Sequence, residues 1–330
     1  MAALARPRRS FVGDEVLLRL RFYDVPQRVE SGEGLDVVVG LTDEHMDDVE
    51  AFESPIASRW QDVVASVDVA CVAVDAQGAE TVVALSRVGS RWRGRCGAGC
   101  REIRARATGA SLRPLDVLPT AIEIAEDGAT AVVRGCAFAT GLALRVPEVY
   151  GQGTCRNVWN GGVVLAAYLA DAKKRRGLEG RTVVDLGSGT GIVGYAAASL
   201  GARAFLTDKA DSLDGLRALA ARAPTLALDV EALSFGDAPS DALKAASPTI
   251  AFAADVLYLS FDVVPLLWRT VTALPSLEEL FVAFSHRDES SAQVLQLLMD
   301  CLKATFPKVS VGSRVENLAS HHSVIRFKRA

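Results

Sequence analysis

Hydrophobic and polar positions follow two different patterns along this chain. In the second half, short apolar runs rich in Val, Ile and Leu alternate with alanine- and leucine-rich stretches of helical spacing. Such alternation predicts strands and helices that follow one another in turn. In the first 120 residues, short strand-like runs are separated by clusters of Gly, Asp and Ser. That pattern predicts a β-rich region.

The second half is predicted to form an α/β fold. The predicted strands lie at 181–187, 203–208, 225–233, 249–258, 278–284, 308–314 and 323–329. The predicted helices lie at 161–176, 191–202, 212–223, 263–274 and 290–306. The last two strands leave no room for a helix between them, which favours an antiparallel hairpin. We therefore expect a doubly wound, mostly parallel seven-stranded sheet that ends in this hairpin.

The first part of the chain is predicted to be a separate β-rich region. Its predicted strands lie at 15–23, 35–41, 80–88 and 100–107, and a fifth ends the stretch 58–74. Residues 130–159 are predicted to form two strands that lead into the α/β domain. We expect a β-rich region over residues 1–125, of unknown role, and an α/β domain over residues 126–330.

Composition narrows the class of protein. Half of the 330 residues are hydrophobic and the net charge is −4, which allows a sizeable core and disfavours a nucleic-acid-binding surface. No apolar run is as long as a membrane span. Six cysteines without a secretory signal indicate reduced thiols in the cytoplasm. The basic start MAALARPRRSFVG leaves a mitochondrial presequence open, and KKRR at 173–176 leaves a nuclear signal open.

The stretch VVDLGSGTGIVG, residues 183–194, fits two cofactor motifs. A GxGxxG pattern starting at Gly189 is typical of dinucleotide binding, and a GxGxG pattern starting at Gly187 is typical of S-adenosylmethionine (SAM) binding. A dinucleotide-binding strand stays apolar up to its first glycine, whereas Asp185 and Ser188 interrupt this one. A carboxylate at Asp185 suits the ammonium group of SAM. The SAM pattern is therefore favoured, and Gly194 becomes a packing residue.

Further motifs follow this one in a recognisable order. They read RNVWNGGVVLAAYL, VVDLGSGTGIVG, FLTD, ALSFGD and AADVLY. The segment from about residue 131 to residue 329 resembles the seven-β-strand methyltransferases of family 16, the methyltransferase-like 21 group of protein lysine methyltransferases. The resemblance implies SAM as cofactor, a protein substrate and transfer of a methyl group to a lysine side chain. It implies no metal.

The resemblance also assigns site residues by their place in the motifs. The residues expected to contact SAM are Trp159, Gly187, Ser188, Gly189, Asp208, Phe235 and Ala254. Asp208 is expected to hold the ribose, and Phe235 stands where the family has Trp and keeps only its stacking face. Asp255 and Tyr258 are the expected catalytic residues. Asp255 would orient the amine, and Tyr258 with Trp159 would line a lysine channel.

Other functions fit parts of the same sequence. A methyltransferase acting on a nucleic acid or a small molecule would use the same glycine motif. A SAM-binding scaffold without catalysis would also keep it. In CGAGC, Cys96 and Cys100 resemble half of a zinc site, but only Cys71 and His45 lie near as further ligands. We therefore expect a glycine-rich turn carrying two thiols at that position.

Overall fold

The fold is described from a computed structural model of the chain. The described residues are 18–30, 33–42, 67–88, 91–109, 117–138, 141–149, 153–171, 177–257, 261–285, 289–312 and 322–329. The basic N-terminal stretch, the KKRR segment and Tyr258 lie outside these residues.

Two mainly antiparallel sheets make up the β-rich region. Its strands are β1 (Leu18–Tyr23), β2 (Leu35–Thr42), β3 (Asp68–Asp75), β4 (Glu80–Val83), β5 (Ser86–Val88), β6 (Arg91–Cys96), β7 (Cys100–Thr108), β8 (Val117–Leu118), β9 (Thr120–Ile124), β10 (Thr130–Ala137) and β11 (Ala143–Glu148). One sheet has the order β5-β6-β2-β1-β8, and the other has the order β11-β10-β9-β7-β3-β4. A core of alternate apolar residues from both sheets lies between them.

One predicted strand of this region is wrong. Residues 80–88 form two strands, because β4 pairs with β3 in one sheet and β5 pairs with β6 in the other. The chain therefore changes sheets at Ala84 and Leu85. Gly94 on β6 permits this crossing, since a Cβ there would lie 2.4 Å from the carbonyl oxygen of Ala84. A run of apolar residues carries no signal for such a change of sheet.

The six-stranded sheet continues past the predicted domain boundary. β9 and β10 lie on either side of residues 125 and 126, and they pair antiparallel from Thr130–Ile124 to Arg134–Thr120. β11 then pairs with β10. The β-rich region therefore extends to Glu148 in the structure. The hydrogen bonds between β9, β10 and β11 join residues on both sides of the predicted boundary, and the composition does not change there.

The second half forms the predicted α/β unit. Its helices are α1 (Asn160–Ala170), α2 (Ile192–Ser199), α3 (Leu213–Arg222), α4 (Asp241–Ala246), α5 (Val263–Thr272) and α6 (Glu289–Leu302). Its strands are β12 (Thr182–Leu186), β13 (Arg203–Asp208), β14 (Leu228–Ala232), β15 (Ile250–Ala254), β16 (Glu279–Ser285), β17 (Lys308–Gly312) and β18 (His322–Lys328). The sheet order is β14-β13-β12-β15-β16-β18-β17. β18 runs antiparallel to both of its neighbours, which confirms the predicted hairpin.

Two apolar layers cover this sheet. Helices α1, α2 and α3 pack on one face, and α4, α5 and α6 pack on the other. Cys136, Leu144 and Val146 of the six-stranded sheet belong to the first of these layers. The β-rich region therefore shares a hydrophobic core with the α/β unit. No helix among the described residues is long and apolar enough to cross a membrane.

Candidate active site

A glycine loop links β12 to α2 at the carboxyl edge of the parallel sheet. Gly187, Gly189 and Gly191 have φ angles of +68°, +55° and +79°, in the left-handed region that favours glycine. Gly191 directly precedes the first turn of α2. Because Gly187 and Gly189 carry no side chain, a ligand can approach the backbone of the loop closely. Gly191 instead packs against the core, since a Cβ there would lie 2.7 Å from Cδ2 of Leu219.

Ser188 and Asp208 fasten this loop to the next strand. The Ser188 hydroxyl donates to the carbonyl of Asp185 and accepts from the amide of Thr207, at 2.8 and 2.9 Å. Asp208 accepts from the amide of Gly189 through Oδ2 at 2.8 Å. The predicted ribose carboxylate thus lies at the loop, half-exposed, at the end of β13. The side chain of Ser188 is occupied within the protein.

Asp185 differs from its expected place. Its carboxylate is 2% exposed and accepts from the amide of Gly194 in α2 at 2.9 Å, rather than lying at the mouth of the site. Burial raises the pKa of Asp185 to about 7. Side chains of the central strand β12 point to one of the two helix-covered faces of the sheet. The side chain of Asp185 points to the face that α2 covers. Asp185 is therefore a structural partner of α2.

Gly194 packs as predicted. A Cβ at this glycine would lie 2.1 Å from Cδ2 of Leu206 on β13. The absence of a side chain lets α2 approach the sheet closely. The third glycine of the GxGxxG pattern therefore serves helix packing in this chain.

Phe235 lies beside the glycine loop, and Ala254 lies at the end of β15, the strand next to β12. A Cβ at Gly187 would lie 3.0 Å from Cζ of Phe235 and 3.0 Å from Cγ1 of Val256. The half-buried Phe235 ring follows β14, and half-buried Ala254 ends β15. Residues from three strand ends therefore meet around Gly187. This edge is where open α/β sheets bind ligands.

Asp255, the residue after β15, has an unusual backbone conformation. Its φ is +54°, which a residue with a Cβ adopts only when its surroundings impose it. Its amide donates to the carbonyl of Ala283 on β16 at 3.0 Å. Its Oδ2 accepts from the amide of Gly161 in the first turn of α1 at 2.6 Å. The predicted strand 249–258 therefore ends at Ala254, and the Asp255 carboxylate reaches α1.

Trp159 directly precedes α1 and is half-buried. Its indole Nε1 donates to the carbonyl of Thr154 at 2.6 Å. Thr154 belongs to a short 3₁₀ turn, Thr154–Arg156, that lies against the glycine loop. A Cβ at Gly189 would be 3.6 Å from the carbonyl oxygen of Cys155. The turn therefore lies beside the glycine loop, and Trp159 is bonded to the turn.

Cys96 and Cys100 lie at the two ends of the turn between β6 and β7. Their sulfur atoms are 3.3 Å apart. The thiol hydrogen bond between them lowers the pKa of Cys96 to about 6 and raises the pKa of Cys100. In the part of the chain that the structure describes, no group of three potential ligands gathers around a metal position.

The site residues fit SAM. Gly187 and Gly189 are half-buried and place no side chain at the loop, the half-exposed Asp208 offers carboxylate oxygens for ribose hydroxyls, and Phe235 places its ring beside Gly187. Together with the strand order and the antiparallel last strand, these features are typical of the class I SAM-dependent methyltransferase fold. Residues 139–300 match the model of a family described as lysine methyltransferase. This match agrees with the family resemblance that the sequence motifs carry.

Three relatives show how far the similarity extends. The chain is 33% identical over 128 residues to protein N-lysine methyltransferase METTL21A of Danio rerio, covering 38% of this chain and 57% of the relative. It is 29% identical over 144 residues to protein-lysine methyltransferase METTL21E of Mus musculus, covering 42% and 53%. It is 32% identical over 120 residues to histone-arginine methyltransferase METTL23 of Mus musculus, covering 36% and 47%. The chain thus spans about half the length of these relatives.

Some residues near the site carried no recognisable sequence signal. Gly161 approaches Asp255 so closely that a Cβ would lie 2.5 Å from its Cγ. Glu148 reaches the amide of Val158, next to Trp159, from the end of β11. Glu148 belongs to no motif, because its partners Arg134 and Val158 lie on neighbouring segments 14 and 10 residues away and follow no local periodicity.

Proposed function

We propose that this chain transfers methyl groups from SAM to lysine side chains of a protein substrate. The observation that carries the proposal is the placement of Asp255. Its carboxylate is fixed at the carboxyl end of β15, beside the residues that cradle the cofactor. The positive φ of Asp255 supports a role at this point, because backbone strain gathers at functional sites.

In this proposal the cofactor-contacting residues are those predicted from the motifs. Gly187, Ser188 and Gly189 contribute backbone, Asp208 holds the ribose hydroxyls, and Phe235 contributes its face. Ala254 and Trp159 complete the contacts. When bound, SAM supplies an electrophilic methyl group on a sulfonium. The protein then has mainly to align the acceptor with that methyl group.

The acceptor amine must lose its proton before it attacks. A lysine side chain in water has a pKa of about 10.4, and removing it from water lowers that value. We propose that Trp159 and Tyr258 wall the channel that desolvates the amine, and that Asp255 orients it. A carboxylate has several acceptor positions, so Asp255 can bind the amide of Gly161 and an amine together.

The central experiment compares Asp255→Asn with the unmodified chain. Asparagine keeps an oxygen that can accept from Gly161, but it removes the negative charge. We expect methyl transfer from tritiated SAM to lysate proteins to fall by about 100-fold, while SAM affinity by calorimetry stays nearly unchanged. Full transfer activity in the variant contradicts the role of Asp255.

Treatment of the labelled lysate identifies the acceptor. Label that protease removes and RNase leaves intact, recovered as methyl-lysine after acid hydrolysis, supports the proposal. Recovery as methyl-arginine, RNase-sensitive label or label on small molecules assigns a different acceptor and overturns it. SAM binding without any label supports the scaffold function instead. Asp208→Ala serves as the control for a cofactor-dependent signal.

We also propose a cytoplasmic protein substrate and a cytoplasmic site of action. All six cysteines are free thiols in the structure, including the pair whose sulfur atoms lie 3.3 Å apart. Free thiols at that distance are typical of a reducing compartment. Fractionation of cells that produce the tagged chain tests the compartment, and recovery in mitochondria or nuclei contradicts it.

A further inference from the structure

A fully buried ion pair lies where the β-rich region meets the α/β unit. Arg134 on β10 and Glu148 at the end of β11 have side chains that are 0% exposed, and Nη2 of Arg134 lies 2.8 Å from Oε2 of Glu148. Nε of Arg134 donates to the same carboxylate at 2.9 Å. A buried pair of this kind is costly to desolvate, and removal of one partner leaves an uncompensated charge.

Arg134 also joins the two β-sheets to each other. Its Nη1 donates to the carbonyl of Leu20 on β1 at 2.6 Å, and to the carbonyls of Leu118 and Pro119 at 3.2 and 3.3 Å. Leu20 and Leu118 lie in strands of the five-stranded sheet, whereas Arg134 lies in the six-stranded sheet. The guanidinium is thus positioned by strands from both sheets.

Glu148 carries this connection to the active site. Its second carboxylate oxygen, Oε1, accepts from the amide of Val158 at 2.8 Å. The next residue along β11 supports the same connector, since the amide of Val149 donates to the carbonyl of Arg156 at 3.0 Å. Trp159, which follows Val158, in turn donates to Thr154. Residues 153–159, the described part of the connector before α1, are therefore anchored to the end of β11 through Arg156 and Val158.

This connector has two anchors on opposite sides of Trp159. Glu148 holds the amide of Val158 before it, and Asp255 holds the amide of Gly161 after it. The bond at Asp255 comes from the α/β unit, whereas the bond at Glu148 comes from the β-rich region. Loss of either carboxylate removes one of the hydrogen bonds that position the segment carrying Trp159.

We infer that Glu148, held in place by Arg134, is a positioning residue that fixes Trp159 against the cofactor loop. On this inference the β-rich region completes the SAM site from a distance. The inference rests on the proposed cofactor contact of Trp159. Glu148 itself touches neither cofactor nor substrate.

The test measures SAM affinity by calorimetry in full-length variants. Glu148→Ala removes the acceptor for Val158, and we expect SAM to bind at least tenfold more weakly. Glu148→Gln keeps one acceptor oxygen, which can serve Arg134 or Val158 but not both, and we expect its SAM affinity to lie between those of Glu148→Ala and the unmodified chain. In transfer assays, Glu148→Ala should raise the KM for SAM more than it lowers kcat.

A double variant tests the same role without leaving one buried charge unpaired. Arg134→Met combined with Glu148→Met removes both charges together, a change that is often neutral for stability when side-chain volume is kept. Val158 still loses its acceptor, so SAM affinity should again fall at least tenfold. Ile103→Ala is the matched control, because it removes buried side-chain volume from the β-rich core without touching this network.

The outcomes separate positioning from general stability. Normal SAM affinity in the folded double variant overturns the inference. Equal loss of SAM affinity in Ile103→Ala also overturns it, because the effect then follows stability alone. If the unmodified chain binds SAM but labels no protein, while Glu148→Ala weakens SAM binding, the positioning role stands and the proposed function fails.

Discussion

The amide of Gly161 lies 2.6 Å from Oδ2 of Asp255, and this bond joins the start of α1 to the end of β15. A Cβ at Gly161 would lie 2.5 Å from Cγ of Asp255, so only glycine allows the approach. Gly161, two residues after Trp159, and Asp255, directly after β15, are far apart in the sequence but contact each other in the structure. The conformation of the proposed catalytic carboxylate depends on the residue that faces it.

Gly161→Ala is expected to displace the Asp255 carboxylate. We expect methyl transfer to fall by roughly 100-fold, the effect of a misplacement of about 1 Å. Overpacking should also lower the free energy of unfolding by about 1–3 kcal/mol. Transfer assays and urea unfolding measure the two effects. Gly177→Ala is the control, since its Cβ would meet nothing within 4 Å. Unchanged transfer in Gly161→Ala contradicts the assigned contact.

Asp208→Ala is expected to weaken SAM binding. The change removes the carboxylate that binds the amide of Gly189 and that we assign to the ribose. Loss of charge-assisted hydrogen bonds should reduce the binding free energy by about 1.5–3 kcal/mol. Calorimetry checks this, and Asp229→Ala on β14 provides a control acid whose partner is Arg203. SAM affinity equal to that of the unmodified chain excludes Asp208 from the site.

Gly194→Ala is expected to destabilise the fold through helix packing. The new Cβ would overlap Cδ2 of Leu206, and relief of such a clash costs about 1–3 kcal/mol. Thermal unfolding should show a lower melting temperature. Shortening the neighbour in a Gly194→Ala/Leu206→Val double variant should restore part of the loss. Additive destabilisation in the double variant argues against this contact.

Asp185 is expected to make stability fall as pH rises. Its pKa is raised from 3.8 to about 7 by burial, so between these values the folded chain keeps a proton that the unfolded chain releases. The stabilising contribution is complete below pH 3.8 and is lost as pH rises through about 7. The slope is about 1.4 kcal/mol per pH unit for one proton.

Asp185→Asn tests this pH dependence. Asparagine carries no titrating proton and still offers an oxygen to the amide of Gly194. We expect the variant to gain stability relative to the unmodified chain between pH 4 and pH 7, with a constant difference at higher pH. Urea unfolding across the range measures it, with Asp241→Asn on exposed α4 as the control. A difference that does not change with pH would falsify the burial effect.

Much of the α/β unit was predictable because its information is local. The alternation of apolar runs and helical stretches gave the strands and helices, and the short gap between 308–314 and 323–329 gave the antiparallel end of the sheet. The glycine loop and Asp208 were predictable for a related reason. The carboxyl ends of parallel strands meet at one edge, so motifs that end strands converge there.

Other features were decided only by tertiary contacts. Three features depend on partners from other elements. They are the contact of Asp185 with Gly194, the change of sheet at Ala84 and the continuation of the six-stranded sheet past residues 125 and 126. Arg134 is such a case as well, because its buried guanidinium pairs with Glu148 and also donates to the carbonyl of Leu20, 114 positions away along the chain. The sequence by itself determined the alternating fold and the cofactor loop. The bonds on either side of Trp159 depended on the tertiary structure. They form because packing brings the amides of Val158 and Gly161 to the carboxylates of Glu148 and Asp255, and buried amides need an acceptor.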